Sequence, residues 1–175
     1  LLNGITPVGA PISGSGFAVS FPPVTTTATL TVVANYGSAC ATNMTGSATI
    51  GLNPLPTAYN VTGGGFYCSG GTGVTIGLDS SETGVNYQLY RGGSPTGLSI
   101  MSTGGGPLSF GLQSTAGTYT VFATNTSTGC SNYMNGSATI AINSLPSSYT
   151  VSLSDSTICA GSTGVHVKLS NTSIG

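Results

Sequence analysis

Four cysteines are the residues of this chain with the most evident chemistry: Cys40, Cys68, Cys130 and Cys159. Thiolates bind metals or join in disulfides, but the spacing contains no C-x-x-C motif, and the single histidine, His166, cannot complete a tetrahedral set. We therefore expect no metal and no cofactor. Disulfides indicate an oxidising, extracytoplasmic location. Four cysteines allow three pairings, which spacing alone does not decide.

Other groups that could act in catalysis are few. His166 lies between two valines of an alternating segment, where a histidine is an ordinary solvent-facing strand residue. Asp79 and Glu82 follow a predicted strand and offer at most a loose cation contact, because Ca²⁺ needs roughly six to eight oxygen ligands. No nucleophile elbow or phosphate-binding loop is present, and the glycine-rich stretches are typical of turns. The sequence predicts that the chain is not an enzyme.

Glycan attachment is a third kind of chemistry that the side chains could support. Five asparagines begin N-x-S/T triplets, and they are Asn43, Asn60, Asn125, Asn135 and Asn171. A chain in which 52 of 175 residues are serine or threonine contains such triplets by chance, so they are candidates only.

Charge is nearly absent, with two basic and three acidic residues among 175, where an average soluble chain of this length carries roughly 44 charges. With only Arg91 and Lys168 as cations, the chain cannot neutralise a row of phosphates, which excludes nucleic-acid binding. No apolar run approaches the roughly 18 residues of a membrane-spanning helix, so we expect no transmembrane segment. The start at Leu1 without a basic segment indicates a processed protein or a piece of a longer one.

An internal repeat of about 90 residues organises the sequence. Residues 31–56 recur as 120–146, and residues 68–78 recur as 159–169. The repeat is out of phase with the chain: residues 58–146 form one complete repeat, residues 1–57 match its later part, and residues 147–175 match its beginning. We therefore predict one complete domain between two complementary fragments.

Within the complete repeat, apolar residues alternate with polar or small ones, as in half-buried antiparallel strands. The alternation is clearest at 74–78, 85–89 and 119–123, and turn-forming residues separate such segments. About seven strands in a repeat of about 90 residues predict an all-β fold of immunoglobulin-like antiparallel β-sandwiches in tandem. Tyr119 is placed where a tyrosine corner would open the sixth strand.

The repeat relates the cysteines in pairs. Cys68 precedes the second strand and Cys130 lies in the loop before the last, which favours a bond between them within the complete domain. Cys159 and Cys40 occupy the same two positions of the split repeat and are expected to bond between adjacent units. The competing arrangement, Cys40 with Cys68 and Cys130 with Cys159, would clamp neighbouring domains across their linkers and stays open at this point.

The order of these motifs resembles the tandem Ig-like repeats of Bacteroidota cell-surface and secreted proteins. The resemblance covers nearly the whole chain and rests on Cys68-Ser69-Gly70-Gly71, Ala116-Gly117-Thr118-Tyr119, Thr128-Gly129-Cys130 and Asn143-Ser144-Leu145-Pro146. It implies secretion and surface display as a stalk, an adhesin arm or a filament subunit. Asp155-Ser156-Thr157 is similar to the O-glycan acceptor site of the same bacteria, which makes Ser156 a further candidate for glycosylation.

Two functions fit this organisation. The first is a structural subunit, or one helical repeat, of an extracellular filament or surface fibre, in which residues 147–175 of one unit complete residues 1–57 of the next. Its partner is a second copy of the chain or a neighbouring repeat of one long chain. The alternative is the stalk or arm of a cell-surface adhesin that binds a glycan or a host surface. Aromatic residues make up 7% of the chain and include no tryptophan, which argues against the alternative.

Overall fold

The computed structural model describes residues 1–154 and 156–172, and these residues form β-strands joined by turns and loops. No helix occurs among them, which confirms the all-β prediction. Nothing in this part of the chain therefore has the helical length and apolar character needed to cross a membrane. The chain divides into two compact units, Leu1–Leu55 and the part from Pro56 onward.

The first unit contains six short strands, which are β1 (Leu2–Asn3), β2 (Thr6–Pro7), β3 (Ala28–Thr31), β4 (Val33–Ala34), β5 (Thr42–Asn43) and β6 (Ala48–Ile50). Four of them form one antiparallel sheet in the order β2-β1-β3-β6, while β4 pairs with β5. Leu2 and Leu30 are the apolar side chains that this unit buries. A single sheet leaves its inner face without a second layer.

Nine strands follow from Pro56 to residue 146, which are β7 (Val61–Gly63), β8 (Gly65–Cys68), β9 (Val74–Leu78), β10 (Val85–Arg91), β11 (Ser94–Met101), β12 (Leu108–Gln113), β13 (Gly117–Asn125), β14 (Ser131–Tyr133) and β15 (Ala138–Asn143). The larger sheet has the order β11-β10-β13-β15-β8, with β14 also paired to β13, and the smaller has the order β12-β9-β7. All pairs are antiparallel except β15 with β8.

The two sheets enclose one hydrophobic core. Strand β13 shows how the period of two produces it, because Tyr119, Val121 and Ala123 are buried while the residues between them are half-buried. The buried cluster combines residues of both sheets: Ile76, Leu78, Val85, Tyr87, Leu89, Phe110, Tyr119, Val121, Ala123, Met134, Ala138 and Ile140. Residues 58–146 therefore form a two-layer β-sandwich.

Two of the nine strands, β8 and β14, were not predicted from the sequence. Strand β8 begins at the last of three glycines that the sequence predicts as a turn. Gly63, Gly64 and Gly65 have φ values of 91°, 80° and 130°, and they carry the chain from β7 in the smaller sheet to β8 in the larger one. A Cβ atom on Gly64 would lie 2.7 Å from the Thr139 carbonyl oxygen, so the connection between β7 and β8 lies too close to β15 for a side chain.

The predicted tyrosine corner is confirmed. The Tyr119 hydroxyl donates a hydrogen bond of 2.7 Å to the backbone carbonyl of Thr115, four residues upstream. The ring is 1% exposed, so the bond fixes the start of β13 at the edge of the core.

Two further strands, β16 (Val151–Leu153) and β17 (Val167–Leu169), form an antiparallel hairpin. They make a two-stranded sheet of their own, and all six of their residues are exposed. Two-stranded hairpins are marginally stable in water unless an apolar face packs against something else.

Replacing Tyr119 by Phe should destabilise the complete domain by about 1 kcal/mol, because the carbonyl of Thr115 loses its donor while the ring stays in the core. Chemical denaturation of the whole chain measures this effect. Tyr133→Phe is the matched control, since Tyr133 is 67% exposed and its change should stay within about 0.5 kcal/mol. Equal effects of the two variants would contradict the prediction.

Candidate assembly site

The hairpin repeats the strand pairing of the complete domain. Val151 lies opposite Leu169 in the hairpin, as Val61 lies opposite Leu78 in the pair β7 and β9. Backbone bonds repeat as well: the Ser154 amide donates to the His166 carbonyl at 3.0 Å, and the Gly64 amide donates to the Thr75 carbonyl at 3.0 Å. The hairpin is thus the counterpart of two strands of the smaller sheet.

The first unit repeats the larger sheet in the same way. Its order β2-β1-β3-β6 corresponds to β11-β10-β13-β15, and β4 with β5 corresponds to β13 with β14. Leu30 lies opposite Ala48, as Tyr119 lies opposite Ala138. Leu2 lies opposite Pro7, as Tyr90 lies opposite Pro95. The first unit and the hairpin therefore have the pairing of opposite layers of one sandwich.

The hairpin exposes the side chains whose counterparts form the core. Val167 and Leu169 are 68% and 48% exposed, whereas the corresponding Ile76 and Leu78 are 0% and 2% exposed. Val151 and Leu153 lie directly opposite these two residues and share their face of the sheet, at 68% and 53% exposure. We call the apolar face made of Val151, Leu153, Val167 and Leu169 the donor face.

The first unit carries an apolar groove of about 520 Å³. Its lining includes Phe21, Leu30, Val32, Met44, Ala48 and Ile50, which correspond in the repeat to Phe110, Tyr119, Val121, Met134, Ala138 and Ile140. All six counterparts belong to the buried core of the complete domain. Met44 is 45% exposed, while Met134 is 5% exposed. We call this depression the acceptor groove, because its counterparts in the complete domain lie in one core cluster with Ile76 and Leu78.

The edge of the first sheet is open beside β6. In the complete domain, β15 extends to Asn143 because β8 pairs with its residues from Ile140 onward. Strand β6 stops at Ile50, the counterpart of Ile140, and Leu52 beyond it is 69% exposed. The counterpart of β8 precedes Cys159 in the sequence, where Ile158 is 58% exposed. The segment that corresponds to β8 in the repeat lies between the two strands of the donor face.

The structure places Cys68 and Cys130 at opposite ends of the sandwich. Cys68 pairs with Asn143 of β15. Asn143 lies three residues beyond Ile140, which pairs with Gly117 at the start of β13. Cys130 lies at the other end of β13, where its carbonyl accepts a 2.9 Å bond from the Asn125 amide. Gly117 and Asn125 are about 26 Å apart along the strand, at roughly 3.3 Å per residue. A disulfide needs Cα atoms within about 7 Å, so this arrangement is incompatible with the predicted Cys68–Cys130 bond.

The candidate glycosylation sites differ in how their side chains are used. Asn43 is exposed on β5, and Ser156 is exposed, whereas Asp155 and residues 173–175 lie outside the described residues. Asn171 is exposed and accepts a bond from the Thr172 amide.

The other three triplet asparagines have structural bonds. Asn60 donates its side-chain amide to Asp79 at 2.6 Å, and Asn135 donates to the Ala58 carbonyl at 2.8 Å. The Asn125 side chain accepts bonds from two backbone amides that follow it, which closes the turn after β13.

The two carboxylates of the complete domain hold the segment through which the chain enters it. Glu82 accepts bonds from the amide and hydroxyl of Thr57, and Asp79 accepts a 2.9 Å bond from the Asn60 amide. In the hairpin, the Ser170 hydroxyl replaces Asp79 and accepts a 3.0 Å bond from the Thr150 amide. Among residues 1–154 and 156–172, no three His, Cys, Asp or Glu side chains are close enough to hold a metal ion. His166 is exposed, as predicted, but it lies just before β17 and not within a strand.

An aromatic row on the outer face of the larger sheet was not predicted. Phe122 packs edge-on against Tyr90 at 6.3 Å and against Tyr133 at 4.7 Å between ring centroids. The three residues come from β10, β13 and β14, so only the strand order brings them together.

No protein-family model, curated protein or solved structure matches the chain. The complete domain is therefore the template with which the two fragments of the same chain are compared.

Asp79→Asn should make the domain less stable at neutral pH but not at low pH. Hydrogen bonds from the Asn60 side chain and backbone lower the pKa of Asp79 below its ordinary value. A carboxyl with a lowered folded-state pKa stabilises the fold above its unfolded pKa, roughly 3.9, and this stabilisation is lost as the pH falls through the folded pKa. Thermal denaturation from pH 7 to pH 2 should show the two proteins converging at the acid end. A difference that stays constant with pH would contradict this role.

Proposed function

We propose that the chain is the structural subunit of an extracellular filament or surface fibre, and that its units assemble head to tail. In this assembly, the donor face of one copy packs into the acceptor groove of the next, and the two fragments complete a second Ig-like sandwich. The single observation that carries the proposal is the exposure of Val167 and Leu169, whose counterparts Ile76 and Leu78 are fully buried.

The complete domain supplies a template for the contact. The hairpin would cover Val32, Met44 and Ile50, whose counterparts lie in one core cluster with Ile76 and Leu78 of β9. The segment before Cys159 would pair with β6 as β8 pairs with β15. Burying a Val or Leu side chain stabilises a structure by about 1.5–3 kcal/mol. Four such side chains on the donor face give a substantial driving force, although ordering and association oppose it.

The contact is heterologous, because the donor face and the acceptor groove are different surfaces of one chain. Each added copy presents a new donor face, so the contact does not close on itself and generates a fibre. The near absence of charge supports the proposal, since like charges on the two surfaces would oppose the contact. The extracellular location rests on the cysteines and on the resemblance to surface proteins.

Two variants that each damage one surface test the proposal. The donor variant carries Val167→Asp and Leu169→Asp, and the acceptor variant carries Met44→Asp and Ala48→Asp, all at exposed positions. Each variant alone should remain a single chain, because a carboxylate in the contact would be buried without a partner. An equimolar mixture should form a dimer that cannot grow. Native mass from light scattering measures both outcomes.

The matched control carries Ser152→Asp and Lys168→Asp on the opposite face of the hairpin, and it should form fibres like the parent chain. A donor variant that still polymerises would overturn the proposal. A parent chain that stays a single chain would overturn it as well. For native fibres, a very large chain after reduction and denaturation would show that the neighbour is the next repeat of one polypeptide.

The adhesin arm stays as the second candidate, and the aromatic row is the observation that favours it. Tyr133 is 67% exposed beside Phe122, and exposed rings can stack on sugar rings. Saturable glycan binding by the assembled chain, lost in Tyr133→Ala, would favour this function over a purely structural one.

A further inference from the structure

The chain enters each sandwich at one end, the proximal end, and leaves it at the other, the distal end. At the proximal end, where the chain enters the complete domain, the Asn132 side chain donates a 3.0 Å bond to the Pro56 carbonyl. At the distal end, where the chain leaves, β15 ends at Asn143 and the Asn143 carbonyl accepts a 2.8 Å bond from the Ser69 amide. Cys130 is two residues from Asn132, and Cys68 immediately precedes Ser69. The proximal end therefore carries Cys130, and the distal end carries Cys68.

The split repeat assigns its cysteines to the same two ends. The Ser162 amide donates to the Cys159 carbonyl at 3.1 Å, as the Gly71 amide donates to the Cys68 carbonyl at 2.9 Å. Cys40 comes just before β5, which pairs with β4 in the register of β14 with β13. In a completed sandwich, Cys159 therefore belongs to the distal end and Cys40 to the proximal end.

The linker brings a distal end close to the next proximal end. Pro146 is the counterpart of Pro56, and it follows Asn143 by three residues, which span at most about 11 Å of extended chain. The asparagine that ends β15 at the distal end of one sandwich and the proline at the proximal end of the next thus lie within a few residues of each other. Each of these two ends carries a cysteine.

We propose that disulfides join successive sandwiches across these linkers rather than closing within a sandwich. Cys68 of one copy bonds to Cys40 of the copy that accepts its hairpin, and Cys159 of the first copy bonds to Cys130 of the second. This inference rests on the proposed head-to-tail assembly. Each pair of neighbouring copies is then held by two covalent bonds, one on either side of the completed domain.

The chemistry is thiol–disulfide exchange with a disulfide oxidant, such as oxidised glutathione. The two cysteine thiols lose two protons and two electrons as their S–S bond forms, and the S–S bond of the oxidant breaks to give two thiols. Assembly precedes oxidation in this scheme, because the sulfur atoms of one bond belong to different copies.

Two double variants distinguish the proposed disulfide pairing from the other two pairings that four cysteines allow. Cys40→Ser with Cys68→Ser removes one of the two proposed bonds, so oxidised fibres should still give a ladder of covalent multimers on a denaturing gel without reductant. Cys68→Ser with Cys130→Ser removes both proposed bonds, so the ladder should collapse to a single-chain band. A Cys68–Cys130 and Cys40–Cys159 arrangement gives the reverse result. A Cys40–Cys130 and Cys68–Cys159 arrangement gives no ladder in either variant.

Peptide mapping of the parent chain without reductant identifies the bonds directly, with chymotrypsin because the sequence has only two basic residues. Linked Cys40–Cys68 and Cys130–Cys159 peptides are expected, and either of the other two pairings would overturn the inference. Native mass on the same samples tests assembly separately. Fibres with the reversed ladder pattern would overturn the disulfides and leave the proposed function intact, whereas single-chain mass in every sample would overturn the proposed function.

Discussion

A β-sandwich buries its core only when both layers are present, and the rest of this structure depends on that constraint. In the complete domain, Ile76 and Leu78 of the smaller sheet lie in one cluster with Tyr119 and Val121 of the larger sheet. The first unit has the larger sheet without the smaller, and the hairpin has two strands of the smaller without the larger. Matching strand registers, with Val167 and Leu169 exposed where Ile76 and Leu78 are buried, are what the proposed division of one sandwich between two fragments predicts.

Much of the fold follows from the period of two in the sequence. Alternating residues predicted the core strands, and the Tyr119 hydroxyl bond confirmed the predicted corner. Strand β8 was missed because it starts in a run of glycines, which have no side chains to show alternation. Its backbone pairing depends on positive φ values at Gly63 to Gly65, which composition indicates only as a turn.

Long-range contacts account for what the sequence could not predict. The partners of Asp79 and Glu82 lie 19 and 25 residues away, so the carboxylates look unpaired in the sequence although they hold the start of the domain. The placement of the cysteines could not be predicted for the same reason. Strand order and strand direction decide at which end of the sandwich each cysteine lies. The parallel pairing of β8 with β15 carries Cys68 to the end opposite Cys130.

The two sandwiches of the proposed assembly have one fold but different thermodynamics. In the complete domain, strands β7 and β9 belong to the same chain as the sheet they cover, so its closure is independent of concentration. The split domain closes only on association, so its stability rises with the concentration of chains. The hairpin of another copy competes poorly with β7 and β9 for the larger sheet of a complete domain. These strands belong to the same chain as that sheet, which gives them a high effective concentration. The difference directs the hairpin to the acceptor groove, and disulfides formed after assembly would make the completed domain independent of concentration as well.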